Sequence, residues 1–208
     1  MATQLQMEKI SELHNRVIAI DSFLNDIINH NTRIMIGSEI NLLLQNEIPG
    51  FNQLLGNLEL VYQSAAEAIT YIVIMDINNQ SDIDGLVTNM EVFGSLKLDT
   101  APGFDLVNTV KNIININCRN SAKDKTSEEM NRINQLERTY NESIIGGFND
   151  IIKDVNNIKN VLGAFGIKEE TKAGAFAELK TQLHCGLELF LWVIEGFVAD
   201  LSVVYNFE

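Results

Sequence analysis

Positive charge is missing from long parts of this sequence. Between Arg33 and Lys97 there is no lysine, arginine or histidine, while eight acids fall in that stretch: Glu39, Glu47, Glu59, Glu67, Asp76, Asp82, Asp84 and Glu91. A second stretch, Thr181 to Glu208, also lacks lysine and arginine and holds the single tryptophan, with His184 near its start. The formal net charge of −13 excludes a general nucleic-acid binder, because phosphate binding needs a clustered positive surface. The nearest approach to one is Lys111, Arg119, Lys123, Lys125, Arg132 and Arg138. Asp124, Glu128, Glu129 and Glu137 interleave with them, which reads as a solvated loop and helix start. The same net charge favours solubility and repels anionic lipid at neutral pH.

Proline is scarce: Pro49 and Pro102 are the only two. That suits long, unbroken helices. Cysteine is scarce as well. Cys118 and Cys185 lie far apart, form no C-x-x-C pair and build no disulfide framework, so both read as buried free thiols. The N-terminus Met-Ala-Thr-Gln-Leu has no charged segment followed by an apolar one, so the expected location is cytoplasmic, or release without a classical signal peptide. The N-x-S sequons at Asn79 and Asn141 carry weight only on a secretory route. No run of about 20 residues is both apolar and charge-free, so a permanent transmembrane helix is not expected.

Catalytic motifs are missing too. There is no phosphate-cradling glycine loop, no dinucleotide fingerprint and no nucleophile elbow. None of His14, His30 and His184 has a glutamate three residues earlier, so the Glu-x-x-His signature of di-iron bundles is absent. His184 and Cys185 are adjacent, and adjacent helical residues point about 100° apart, which disfavours a nucleophile–base pair. The expectation is a chain without enzymatic activity, catalytic residues, metal or cofactor.

What is present is helical periodicity. Ile10, Leu13, Val17, Ile20, Leu24 and Ile27 repeat at alternating steps of three and four, the seam of a helix that packs on another helix of the same chain or of a second one. That first helix is predicted from about Leu5 to Asn29, ending at Asn29–Thr32. A short helix from Ser38 to Glu47 and a turn at Pro49–Gly50 follow. A long helix then runs from Phe51 to Ile77, apolar almost all round over Ala68–Met75. Further helices are expected over Asp82–Leu96 and Phe104–Cys118. An irregular segment, Leu98–Gly103, lies between them.

A Thr126–Glu129 capping box opens a very long helix to about Phe165, weakened at Gly146–Gly147. The last helix spans Glu170–Val204. Its inward set is Ala175, Phe176, Leu179, Leu183, Leu187, Phe190, Leu191, Ile194, Phe197, Val198 and Leu201. The expected fold is all-α: an elongated bundle of about six or seven helices, several longer than 25 residues, in a single domain over 1–208, with a loop or sub-boundary at 119–126.

Two readings of function follow. The first is a structural or assembly subunit, or protein-interaction module, that acts by coiled-coil-like packing of long amphipathic helices. It would bind itself or another helical protein, and no nucleic acid. The second is a membrane-active protein similar in general architecture to α-helical pore-forming toxin components. It would release the apolar segments 51–77 and 181–205 after a conformational change or acidification. Glu59, Glu67, Glu188, Glu195 and Asp200 interrupt those segments and are the candidate proton switch. Desolvation would raise their pKa values, and protonation would leave the segments almost uncharged.

Overall fold

The computed structural model describes residues 3–37, 42–98, 104–117, 127–164 and 169–205. Among the described residues there are seven α-helices, one π-helical turn and no strand. They are α1 (Gln4–Gly37), α2 (Leu42–Ile74), α3 (Gln80–Ser95), α4 (Leu106–Asn117), α5 (Ser127–Arg138), α6 (Ile145–Leu162) and α7 (Glu169–Tyr205). The π turn (Thr139–Ile144) joins α5 to α6 without a break, so the seven helices form six rods. At 34, 33 and 37 residues, α1, α2 and α7 are each about 50 Å long or more. The fold is the all-α multi-helix bundle that the periodicity implied.

α1 packs along α2, α2 also meets α7, and α6 lies against α7. α3 rests on α2 and α6, while α4 contacts α2 and α5. The core is continuous: Phe51, Leu55, Leu58, Val61 and Tyr62 of α2 share one buried cluster with Leu24 and Ile27 of α1 and the inner face of α7.

Three boundaries depart from the sequence reading. First, α1 continues through Asn29–Thr32 to Gly37. Asn31 is fully buried, and its side-chain amide donates to Oδ1 of Asn52 at 2.9 Å. Its own Oδ1 accepts the Tyr205 hydroxyl at 3.0 Å. The Thr32 hydroxyl turns back to the Ile28 carbonyl at 2.8 Å. Residues that weaken an isolated helix are here held by tertiary hydrogen bonds, which override propensity.

Second, no turn forms at Pro49–Gly50. α2 runs straight through Pro49, and Ile48 and Phe51 on either side of it are fully buried. Burial of both neighbours offsets the helix hydrogen bond that proline cannot donate. Third, α2 ends at Ile74 rather than Ile77. Oδ2 of Asp82 accepts the Asp76 amide at 2.8 Å, and Asn79 caps α3 by accepting the Ser81 amide at 3.1 Å. At the next helix start, Asp105 caps α4 by accepting the Asn108 amide at 2.9 Å. The expectations at Ser38, at 119–126, at the Thr126 end of the capping box and for most of Leu98–Gly103 lie outside the described residues.

The π turn has a cause in the sequence. The buried residues of this rod are Ile133, Leu136, Tyr140, Ile144, Phe148, Ile151, Val155 and Ile158. Their spacing includes three successive steps of four. Each such step overshoots a 3.6-residue turn by about 40°, so three in a row would carry the apolar stripe roughly 120° round the helix. The wider π turn absorbs the excess and keeps the stripe on the core. It also lets the buried Tyr140 donate its hydroxyl to the carbonyl of Leu98. The expected weak point at Gly146–Gly147 is a continuous helix. A Cβ on Gly147 would stand 3.2 Å from the Phe190 ring, so this glycine allows α6 to lie close on α7.

Candidate interaction face on the last helix

α7 has two apolar faces. The inner one, Leu183, Leu187, Phe190, Leu191, Ile194, Phe197, Val198 and Leu201, is buried as the spacing predicted. The outer one is Cys185, Leu189, Trp192, Gly196, Ala199 and Val203, all exposed. Trp192 is 63% exposed, Leu189 61% and Val203 48%. These six residues are spaced 4-3-4-3-4, the seam pattern of a packed helix pair, and none of them is charged. The sequence reading found the inner face and missed the outer one. The signal was available as a second heptad register, hidden because a helix apolar nearly all round offers several stripes at once. Cys185, expected to be buried, is part of this outer stripe.

The acids that interrupt α7 flank the stripe and are paired within the chain. Nζ of Lys9 lies 2.9 Å from Oε1 of Glu188, and Nη1 of Arg16 lies 3.2 Å from its Oε2. Nε of Arg16 is 2.8 Å from Oε1 of Glu195, which also accepts the Tyr62 hydroxyl at 2.6 Å. Asp200 has Nη1 of Arg132 at 3.7 Å. The Arg16 side chain is 17% exposed and that of Glu188 18%, so this cluster is half-sheltered from water.

Electrostatics follow from that geometry. Burial works against the Arg16 charge, but its bonds to Glu195 and Glu188 win and hold its pKa above the ordinary value. Burial pushes the Tyr62 hydroxyl up, and its bond to Glu195 adds to this. Burial would also raise Glu188, yet the charge-assisted bonds from Lys9 and Arg16 outweigh it, and its carboxyl sits below the usual range. That reverses the rise expected of Glu188 as a proton switch. His184 is pushed down, chiefly by burial, although Glu188 stands 3.8 Å from its Nε2.

The remaining sequence-selected residues lie elsewhere. Glu59 is half-buried and its carboxyl is raised, first by burial and then by the nearby Asp21. Glu67 is exposed and lines a cleft of about 660 Å³ between α1 and α2, together with Ile10, His14, Val17 and Tyr71. In the α1 seam, Leu13, Ile20, Leu24 and Ile27 are buried within the chain, and Val17 packs partly against the same core. The structure therefore brings Glu188 and Glu195 together around Arg16, and leaves Glu59 and Glu67 apart from them.

Within the apolar segment of α2, Ala68, Ile69 and Ile72 are buried, whereas Ile74 at its end is 48% exposed. Among the described residues, no helix is long and apolar enough to cross a membrane. Among the same residues, no group of three or more His, Cys, Asp or Glu is placed to hold a metal ion. No protein-family model, curated protein or solved structure matches this chain.

Proposed function

We propose that this chain is a non-enzymatic assembly subunit that works by helix–helix association, with the outer face of α7 as its contact surface. The observation that carries this reading is the uncharged, heptad-spaced stripe from Cys185 to Val203, exposed on a helix whose opposite face is anchored in the core. Water contact with a tryptophan and a leucine one turn apart is unfavourable, and a covering helix would relieve it. The surface stands on a rigid element, since the ion cluster on its flank ties α7 to α1 and α2. A preorganised surface loses little entropy when a partner docks.

A photo-crosslinking residue placed at Leu189 or Val203 of the full chain tests this. The expected result is a protein adduct of defined mass from both positions and none from exposed Asn25 on α1. Crosslinking to no protein from either position would refute the reading.

The membrane-active alternative has less support. Ala68, Ile69 and Ile72 are covered within the chain, and the face of α7 that points into the bundle is buried. Dye release from liposomes at pH 5 and pH 7 separates the two readings. Release at either pH by the wild-type chain would favour insertion over assembly.

A further inference from the structure

Resting on the assembly reading, we propose that a second copy of this chain docks on the outer stripe of α7, as an antiparallel helix pair about a two-fold axis at residue 194. The argument is one of size. With the axis at 194, residue i of one copy lies opposite residue 388 minus i of the other. Leu189 then meets Ala199, Trp192 meets Gly196, and Cys185 meets Val203, each pair occurring twice. In every layer the larger residue faces the smaller. Gly196 is open on that side: a Cβ placed there would have nothing within 4 Å, which leaves room for the partner's indole. A parallel pair in register would instead set Trp192 against Trp192 and Gly196 against Gly196, a bulge beside a void, which close packing disfavours. The self-matching order of large and small residues is what a two-fold, isologous interface requires.

Charge points the same way. A chain this acidic repels its own copy unless the acids at the contact are neutralised. Each of those beside the stripe has a cation partner within the chain, which lowers that repulsion: Glu188 has Lys9 and Arg16, Glu195 shares Arg16, and Asp200 has Arg132, with Lys9 and Arg16 also near Glu12 and Arg132 also near Glu128. Near the axis the two copies would meet through ion pairs and Val193, not through bare carboxylates.

The size of the face sets the strength. The stripe is about 27 Å long. Trp192 presents on the order of 150 Å² and Leu189 with Val203 a similar area, so the pair removes roughly 600 Å² of apolar surface over both copies. That is below the area of a standard stable interface, so the pair is a weak, reversible one.

Sedimentation velocity of the full chain from about 2 to 200 μM tests the proposal. The expected result is a monomer–dimer equilibrium with its midpoint at roughly tens of micromolar, accompanied by a blue shift of the single tryptophan's emission over the same range. Gly196→Glu should keep the helical circular dichroism and weaken association at least about tenfold, because it buries a charge against the partner's indole. In a Cys118→Ser background, adding Val203→Cys should give a disulfide-linked dimer joining 185 to 203 in the presence of oxidised glutathione, whereas Cys118→Ser alone should not crosslink.

A monomer at every concentration, an association untouched by Gly196→Glu, or a 185–185 crosslink as abundant as the 185–203 one would each overturn it. A chain that stays monomeric, while a different helical protein shields Trp192, overturns docking by a second copy and leaves the assembly reading standing. If nothing covers Trp192, both fall.

Discussion

Removing Arg16 should show what the half-sheltered charge cluster contributes. Arg16→Met keeps most of the aliphatic stem and deletes the guanidinium that serves Glu188 and Glu195 at 3.2 and 2.8 Å. Glu188 keeps Lys9 at 2.9 Å, but Glu195 is left with only the Tyr62 hydroxyl. Stripping the partner from a fully buried charge costs about 3–5 kcal/mol. Here the Glu195 side chain is 31% exposed, so water takes up part of the loss and the expected cost falls to about 2 kcal/mol. For a chain of this length that is a drop of roughly 4–8 °C in Tm. Urea denaturation followed by circular dichroism at pH 7 measures it.

The cause is separated from simple loss of contact by the double variant Arg16→Met/Glu195→Gln. Glutamine still accepts the Tyr62 hydrogen bond and carries no charge to strand. The double variant should therefore recover about 1 kcal/mol of what the single one lost. A cost below about 0.5 kcal/mol for Arg16→Met, or a double variant no more stable than the single one, would refute the view that Arg16 neutralises this flank of α7.

Other perturbations probe separate parts of the fold. Asn31→Leu removes the acceptor of the Tyr205 hydroxyl and the donor to Asn52, and should destabilise by about 2–3 kcal/mol in chemical denaturation. Gly146→Ala should stabilise by roughly 0.5–1 kcal/mol, because a Cβ there meets nothing within 4 Å. Gly147→Leu should instead cost about 1–3 kcal/mol by pressing on Phe190, and equal effects at the two glycines would contradict the close α6–α7 approach.

Two groups should give one pH profile separate slopes of the same sign, at different pH. The Glu188 pKa is lower in the folded chain, so its contribution is present above its ordinary value of 4.5 and is lost as pH falls through the folded value. Glu188→Gln should flatten the decline in stability below about pH 4.5. The His184 pKa is also lower in the folded chain, so the unfolded chain takes up the proton first and stability falls as pH drops below 6.5. His184→Gln should remove that earlier slope, read as the urea midpoint against pH.

Much of the fold was legible because periodicity survives without tertiary information. The inner face of α7 and the seam Ile10–Ile27 were read from spacing alone: α7 is buried from Leu183 to Leu201 along that face, and Leu13, Ile20, Leu24 and Ile27 of the seam are buried, while Ile10, Val17, Ala175 and Leu179 are half-buried. What escaped was anything settled by a distant partner. Asn31 reads as a helix breaker until Asn52 and Tyr205 are placed beside it, separated from it by 21 and 174 residues. Pro49 reads as a turn until burial of Ile48 and Phe51 is known. The pairing of Arg16 with Glu188 and Glu195 spans more than 170 residues and leaves no local trace. The outer stripe of α7 was hidden for a different reason. On a helix with few polar positions, spacing proposes more than one face, and only the packing of α2 and α6 decides which of them is inner.

The uneven distribution of charge along the sequence then has a structural reading. α7 brings Glu188, Glu195 and Asp200, and the cations that meet them come from α1 and α5, as Lys9, Arg16 and Arg132. Separation along the chain becomes pairing between helices, which favours one register of α1 on α7 over its neighbours, because a slip of one turn would strand several charges together. This bears on acid release. At pH 5 Glu188 stays ionised, since its carboxyl lies below the ordinary 4.5, so mild acid leaves the Lys9 and Arg16 contacts to it intact. Glu59 is raised, but it sits with Asp21 and Asn25 at the α1–α2 contact, and its protonation would relieve repulsion there and tighten the bundle. Glu188 and Glu59 oppose opening of the bundle at mildly acidic pH, whereas protonation of His184 on α7 favours it, so His184→Gln should extend to lower pH the range over which α7 stays docked.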